Sequence, residues 1–160
     1  MKLPDGLELS KLQRFPIFQD LSNTELNQFL DGTRISHYAA ESSILRQGDQ
    51  PLGLGILLSG KAKVYRIGEN HTEHFLAVLK EGDFFGEMAL VSPGVRSASI
   101  DAIETAEVVW MSSDAFHRML TGASPMVAKL LTRMVADLST RLRLLDERYV
   151  FMKEHLARRA

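Results

Sequence analysis

The chain has no cysteine, and only five of its 160 residues are proline. Without thiols there is no disulfide framework, no thiolate metal site and no cysteine nucleophile. An excess of charge is also missing. The 19 Lys+Arg face 20 Asp+Glu, a formal −1, which excludes a general nucleic-acid coat or a polybasic membrane binder. No run of about 20 apolar residues occurs, so no segment is expected to span a bilayer. The amino-terminal MKLPDGLELSKLQRF carries acids and a proline where a secretory signal needs an unbroken apolar stretch. A cytoplasmic protein with one compact core is expected, since the chain is too short for two enzyme domains.

Glycine is scarce except in one region, where eight of the eleven lie between Gly48 and Gly94 and separate short apolar or alternating runs. That is the punctuation of an all-β unit. Strands are expected at Ile35–Ala39, Ser43–Arg46, Leu54–Leu58, Lys61–Ile67, Glu73–Leu79, Ser97–Ile103 and Glu107–Met111, with Phe84-Phe85 as a buried strand end. So many short antiparallel segments, with flanking helices, predict a mainly β fold built on an eight-stranded jelly-roll barrel, because closure deals with exposed edges. Before the strands, Ser22 and Glu25 have capping-box spacing, and Leu26, Phe29 and Leu30 follow on one face.

After Trp110 the period becomes helical. A short helix is expected over Asp114–Leu120, then Ser124 as a cap and Pro125 as the first position of a long helix. Neither glycine nor proline interrupts the chain from there to Arg158, a helix of about 50 Å. Its apolar residues Val127, Leu131, Met134, Leu138, Leu142, Leu145, Tyr149, Met152 and Leu156 form a heptad seam with one stutter after Leu138. A small body cannot bury so long a seam, so a parallel homodimer is expected through this helix. From Lys129 onward the net charge is +4 and before it −5, an acidic body with a basic tail. The expected division is a domain over 1–123 and a dimerising, signalling helix over 124–160.

The chemistry concentrates in EGDFFGEMALVSPGVRSASI, residues 81–100. Gly86 permits close backbone approach to a ligand. The residues after it can form one helical turn whose free N–H groups favour an anion. Arg96 supplies a planar, charged set of donors suited to phosphate oxygens, and Glu87 an acceptor suited to a sugar hydroxyl. Together they fit a phosphate beside a ribose. Metal and hydrolytic alternatives lack residues. His71 and His74 would point to opposite faces of a strand with no third ligand, the His-x-His of a cupin is absent, and no spacing gathers a serine, a histidine and an acid. No catalytic residue is expected, and no enzyme.

This stretch resembles the phosphate-binding cassette of the cyclic-nucleotide-binding domain family, whose pattern is Phe-Gly-Glu-(Leu/Ile)-Ala-Leu, a variable loop and Pro-Arg-Ala-Ala. Phe15-Pro16-Ile17-Phe18, Gln47-Gly48-Asp49, Ser59-Gly60 and Glu81-Gly82-Asp83-Phe84 extend the resemblance over most of the chain. The resemblance implies that Glu87 accepts from the ribose 2′-hydroxyl and Arg96 pairs with the cyclic phosphate. It also implies that Gly86 lies against the ribose, that the N–H groups of Ala89 and Ser97 reach phosphate oxygens, and that Met88 belongs to the same ligand-binding turn. Val64, Leu76, Leu79 and Phe85 match the apolar lining around ribose and base.

Two positions depart from the pattern. Val95 replaces the usual proline before the arginine, with Pro93 two places earlier, although the nine-residue Glu87–Arg96 separation is kept. Where catabolite activators place hydroxyl side chains against the adenine amine, this chain has Arg141 with Leu142, or Leu142 with Arg143. Relatives that prefer cyclic GMP often have threonine after the cassette arginine, so Ser97 favours cyclic AMP over cyclic GMP. The implied protein is a cyclic-nucleotide receptor that passes occupancy to its long helix. Relatives that regulate transcription continue into a helix-turn-helix unit. No direct DNA binding is expected here, whether the chain stands alone or is the sensor part of a longer product. The alternative is a ligand-free dimerisation module in which Glu87 and Arg96 simply pair.

Overall fold

The computed structural model describes residues 8–92 and 94–157. Pro93, the side chain of Leu156 and the expected helix end at Arg158 fall outside the described residues. The elements run α1 (Leu9–Leu12), α2 (Asn23–Asp31), β1 (Thr33–Tyr38), β2 (Ser43–Leu45), β3 (Leu54–Ser59), β4 (Ala62–Ile67), β5 (Glu73–Leu79) and β6 (Phe84–Phe85). They continue with α3 (Met88–Val91), β7 (Ser99–Ala102), β8 (Ala106–Met111), α4 (Ser113–Thr121) and α5 (Pro125–Ala157).

The strands form two antiparallel four-stranded sheets, in the orders β1-β8-β3-β6 and β2-β7-β4-β5. This corrects the expected closed barrel. One end strand of each sheet is too short to carry the ladder round: β6 pairs with β3 over two residues, and β2 has three residues whose register on β7 shifts between Ser43 and Leu45. Closure is replaced by burial. Leu57, Phe85, Ala106, Val108 and Trp110 of the first sheet meet Ile44, Leu45, Ala62, Leu79, Ile100 and Ala102 of the second in one core cluster. The opposite face of the first sheet, through Leu54, Ile56, Leu58, Phe84, Val109 and Met111, packs on Phe15, Phe18, Leu26, Phe29, Phe116 and the start of α5. A sheet covered on both sides needs apolar residues at consecutive positions, which explains the unbroken run Leu54–Leu58.

The helices are set by their caps. Ser22 Oγ accepts from Glu25 N–H while Glu25 Oε2 accepts from Ser22 N–H at 2.8 Å, completing the capping box on α2. Ser124 directly precedes Pro125, the first residue of α5, and its hydroxyl donates to Gln28 Oε1 at 3.3 Å. The first turns of α5 bury Met126, Val127, Leu130 and Met134 against the body. Ion pairs from Lys129 to Glu25 (2.7 Å) and from Arg133 to Asp20 (2.5 Å) fix the same stretch.

The seam is therefore divided. Val127, Leu131 and Met134 pack on the chain's own body, whereas Leu142, Leu145, Tyr149 and Met152 are each more than half exposed. No helix among the described residues is long and apolar enough to cross a membrane.

Candidate functional site

Two glycines shape the floor of a cavity between the second sheet and the segment that follows β6. At Gly55 a Cβ would lie 2.6 Å from the Phe85 ring. Its absence lets Phe85 lie across β3 and meet Trp110 edge-on at 5.3 Å. Gly86 then turns the chain at φ +74°, a left-handed value that favours glycine. A side chain there would overlap Arg96 Nη1 and approach the Gly53 carbonyl at 2.8 Å. Alternation along β6 sends Phe84 to the helix-covered core and Phe85 to the inter-sheet core.

Arg96 is 5% exposed. Its Nη2 donates to Gly53 O at 3.0 Å and its Nη1 to Gly86 O at 3.4 Å, while the buried Nε–H has no partner. Burial pulls the guanidinium below the usual arginine value, and the nearby Glu87 carboxylate opposes that shift. Among the described residues the ion pairs lie elsewhere, and none within 4.0 Å joins Glu87 to Arg96. A buried cation with an unpaired donor is costly in isolation and favours an acceptor beside it.

The cavity holds about 240 Å³ and brings together Val64, Leu79, Phe85, Gly86, Glu87, Met88, Ala89, Arg96, Ser97 and Arg141. Its walls are otherwise mostly apolar, and its ionisable lining is two arginines against one glutamate, a balance suited to an anion with an apolar part. The Ala89 N–H is engaged inside its own turn, donating to Gly86 O at 3.2 Å. Ser97 Oγ lies 4.0 Å from the Met88 sulfur.

Leu76 and Leu142 are not in the lining. Leu79 and Leu76 are three apart on a strand and cannot share a face, whereas Ala77 can. A register shift between Val64 and Tyr65 places Ala77 opposite Val64 and leaves Leu76 at the surface. On α5 it is Arg141 that turns toward the sheet. Its Nη2 donates to Phe84 O at 3.2 Å, its guanidinium lies 4.7 Å over the Phe84 ring, and it pairs with Asp137 at 2.5 Å. Leu142, one position round the helix, faces outward, and Arg143 bonds Thr140 on the same helix.

Leu45, Pro51, Ala77 and Ile100 join the lining unforeseen, beside Ser92, Gly94, Val95 and Ala98 of the segment between Glu87 and Ser99. Period-2 alternation along β5 could have found Ala77. Pro51 enters through a fold of the chain that leaves no local signal. Among the described residues no group of three or more His, Asp or Glu could hold a metal ion.

Comparison with known proteins places the chain in a family. Residues 35–122 match the cyclic nucleotide-binding domain. The chain is 33% identical over 109 residues to a cAMP-dependent protein kinase regulatory subunit of Blastocladiella emersonii, covering 68% of this chain and 27% of that one. It is 32% identical to the cyclic AMP receptor protein of Thermus thermophilus, covering 82% and 62%. A solved cyclic nucleotide-binding domain from Methylobacillus flagellatus superposes with a TM-score of 0.77 at 25% identity, covering 88% and 79%. The chain thus spans about a quarter of the kinase subunit and under two thirds of the bacterial receptor. With the match extending over more than half of its residues, the chain belongs to the cyclic nucleotide-binding domain family.

Proposed function

We propose that this chain is a non-enzymatic receptor for cyclic AMP, with cyclic GMP the weaker ligand, and that it carries occupancy outward through α5. The observation that supports this most is Arg96, a buried guanidinium with a free Nε–H in the wall of an apolar cavity. In the proposed complex Arg96 pairs with the cyclic phosphate and Glu87 accepts from the ribose 2′-hydroxyl. Gly86 lies against the sugar, and Ser97 adds a donor. Ala89 N–H would have to leave its 3.2 Å bond to Gly86 O to join them. Val64, Leu79 and Phe85 cover ribose and base, and Arg141 closes the side facing α5.

The same reading assigns 1–123 to ligand recognition and 124–160 to output. The exposed stripe Leu142, Leu145, Tyr149 and Met152 is the surface on which a second copy would pair, in parallel. Because Arg141 touches both the cavity wall and the Phe84 carbonyl, nucleotide that binds one seating of α5 better than another shifts the population of seatings.

Thermal unfolding tests the ligand assignment. Cyclic AMP at 100 times its Kd should stabilise the wild type by about 2.7 kcal/mol. Arg96→Leu should weaken binding by about 2–4 kcal/mol and cut the stabilisation at that concentration to below about 1 kcal/mol. An equal shift in both proteins would remove Arg96 from the site.

A further inference from the structure

Among the described residues, the buried polar or charged side chains are Arg96 and Ser99, three positions apart and held by one loop. The main chain of Arg96 is gripped on both sides: its N–H donates to Asp49 O at 2.9 Å, and its carbonyl accepts from Gly48 N–H at 2.9 Å. The turn that offers these groups needs Gly48 at φ +90°. Gln47, the residue before it, is fixed three times. Its N–H donates to Ser99 Oγ at 3.0 Å, its Oε1 accepts from Ile67 N–H at 2.8 Å and its Nε2 donates to Ile67 O at 3.3 Å. The side chain of Gln47 therefore pairs with the end of β4 as a strand would, while Ser99 ties the same residue to the start of β7. Neither Gln47 nor Ser99 lines the cavity.

The guanidinium is held by one buried 3.0 Å bond to Gly53 O and a long 3.4 Å bond to Gly86 O, both on other segments, and its Nε–H is idle. Its aim depends on where its backbone sits, and a binding group is only as well placed as the shell behind it. We infer that Ser99 and Gln47 are positioning residues that set the affinity for the phosphate-bearing ligand by fixing Arg96 from the outer face of the sheet. Removal of the Ser99 hydroxyl leaves the Gln47 N–H without its acceptor and frees the 46–49 turn to drift with Arg96 attached. The inference rests on the assignment of Arg96 to the phosphate.

The test is a double-mutant cycle read by calorimetric titration with cyclic AMP, on full-length proteins whose folding is checked by circular dichroism. Ser99→Ala should weaken binding about tenfold, and Ser99→Thr, which keeps the hydroxyl, should restore it to within about threefold. In an Arg96→Lys background, where the planar fork is already gone, Ser99→Ala should change affinity by less than about twofold. Should Ser99→Ala fail to fold, Gln47→Met, which removes both side-chain bonds to Ile67, takes its place with the same expectation. Wild-type affinity in the variant, or an equal loss in both backgrounds, would overturn the positioning role alone. Absence of binding by the wild type to both cyclic AMP and cyclic GMP would overturn the ligand assignment, and the positioning role with it.

Discussion

Arg96 and Gly86 are interdependent. The guanidinium occupies the space that a side chain at Gly86 would fill, and φ +74° at Gly86 directs the chain into the Glu87–Ala89 turn. Gly86→Ala should therefore act twice, through left-handed strain of about 1–2 kcal/mol and through displacement of Arg96. The expected outcome is a folded protein with a lower melting temperature and at least tenfold weaker nucleotide binding (roughly 1.4 kcal/mol). Undiminished binding would show that the guanidinium can move aside without loss. At this scale much was readable in advance. Glu87, Arg96 and Gly86, chosen by residue type and spacing, came together in the lining of one cavity. Leu76 did not, since the shift at Val64/Tyr65 that turns it outward depends on how two strands pair. Arg141 and Leu142 could not be separated until the seating of α5 on Phe84 chose between them.

At the scale of elements, α5 is held to α2 and the preceding turn by charge as well as by packing. The hydrogen bond from Lys129, followed by the Ser22 backbone, draws Glu25 below the usual carboxylate range. The hydrogen bond from Arg133 does the same to Asp20. A carboxyl held low in the folded chain stabilises it above the unfolded pKa, and that contribution is lost as the pH falls through the depressed folded value. Lys129→Met should accordingly melt earlier than wild type at pH 7, and the gap should narrow as the pH is lowered toward about 2, through the depressed folded value of Glu25. Thermal melts at the two pH values check this, and a gap unchanged at low pH would assign Lys129 a packing role only. The capping box of α2 was plain in the sequence because it is local. The Glu25–Lys129 bond was not, since its partners lie 104 positions apart.

For the whole molecule, the proposed reader is the two sheets with their helical cover, and the proposed output is the exposed later half of α5. Alternation and glycine punctuation located seven of the strands to within a few residues, yet they overstated closure. Whether edge strands meet is decided by strand length and register, neither of which appears in an apolar pattern. The seam was likewise legible as a periodicity, but only the fold shows that its first three residues are spent on the chain's own core. Truncation after Leu138 keeps Met126–Met134 in place and removes the exposed stripe, so sedimentation should give a dimer for the full chain and a monomer for the truncated one. A truncated dimer would move the interface off the exposed stripe beyond Leu138.

The central claim is that the cavity holds a cyclic nucleotide. Isothermal titration of the full chain measures it most directly. Saturable binding of cyclic AMP at one per chain, tighter than cyclic GMP, is the expected result. No heat from either nucleotide at millimolar concentration would contradict it.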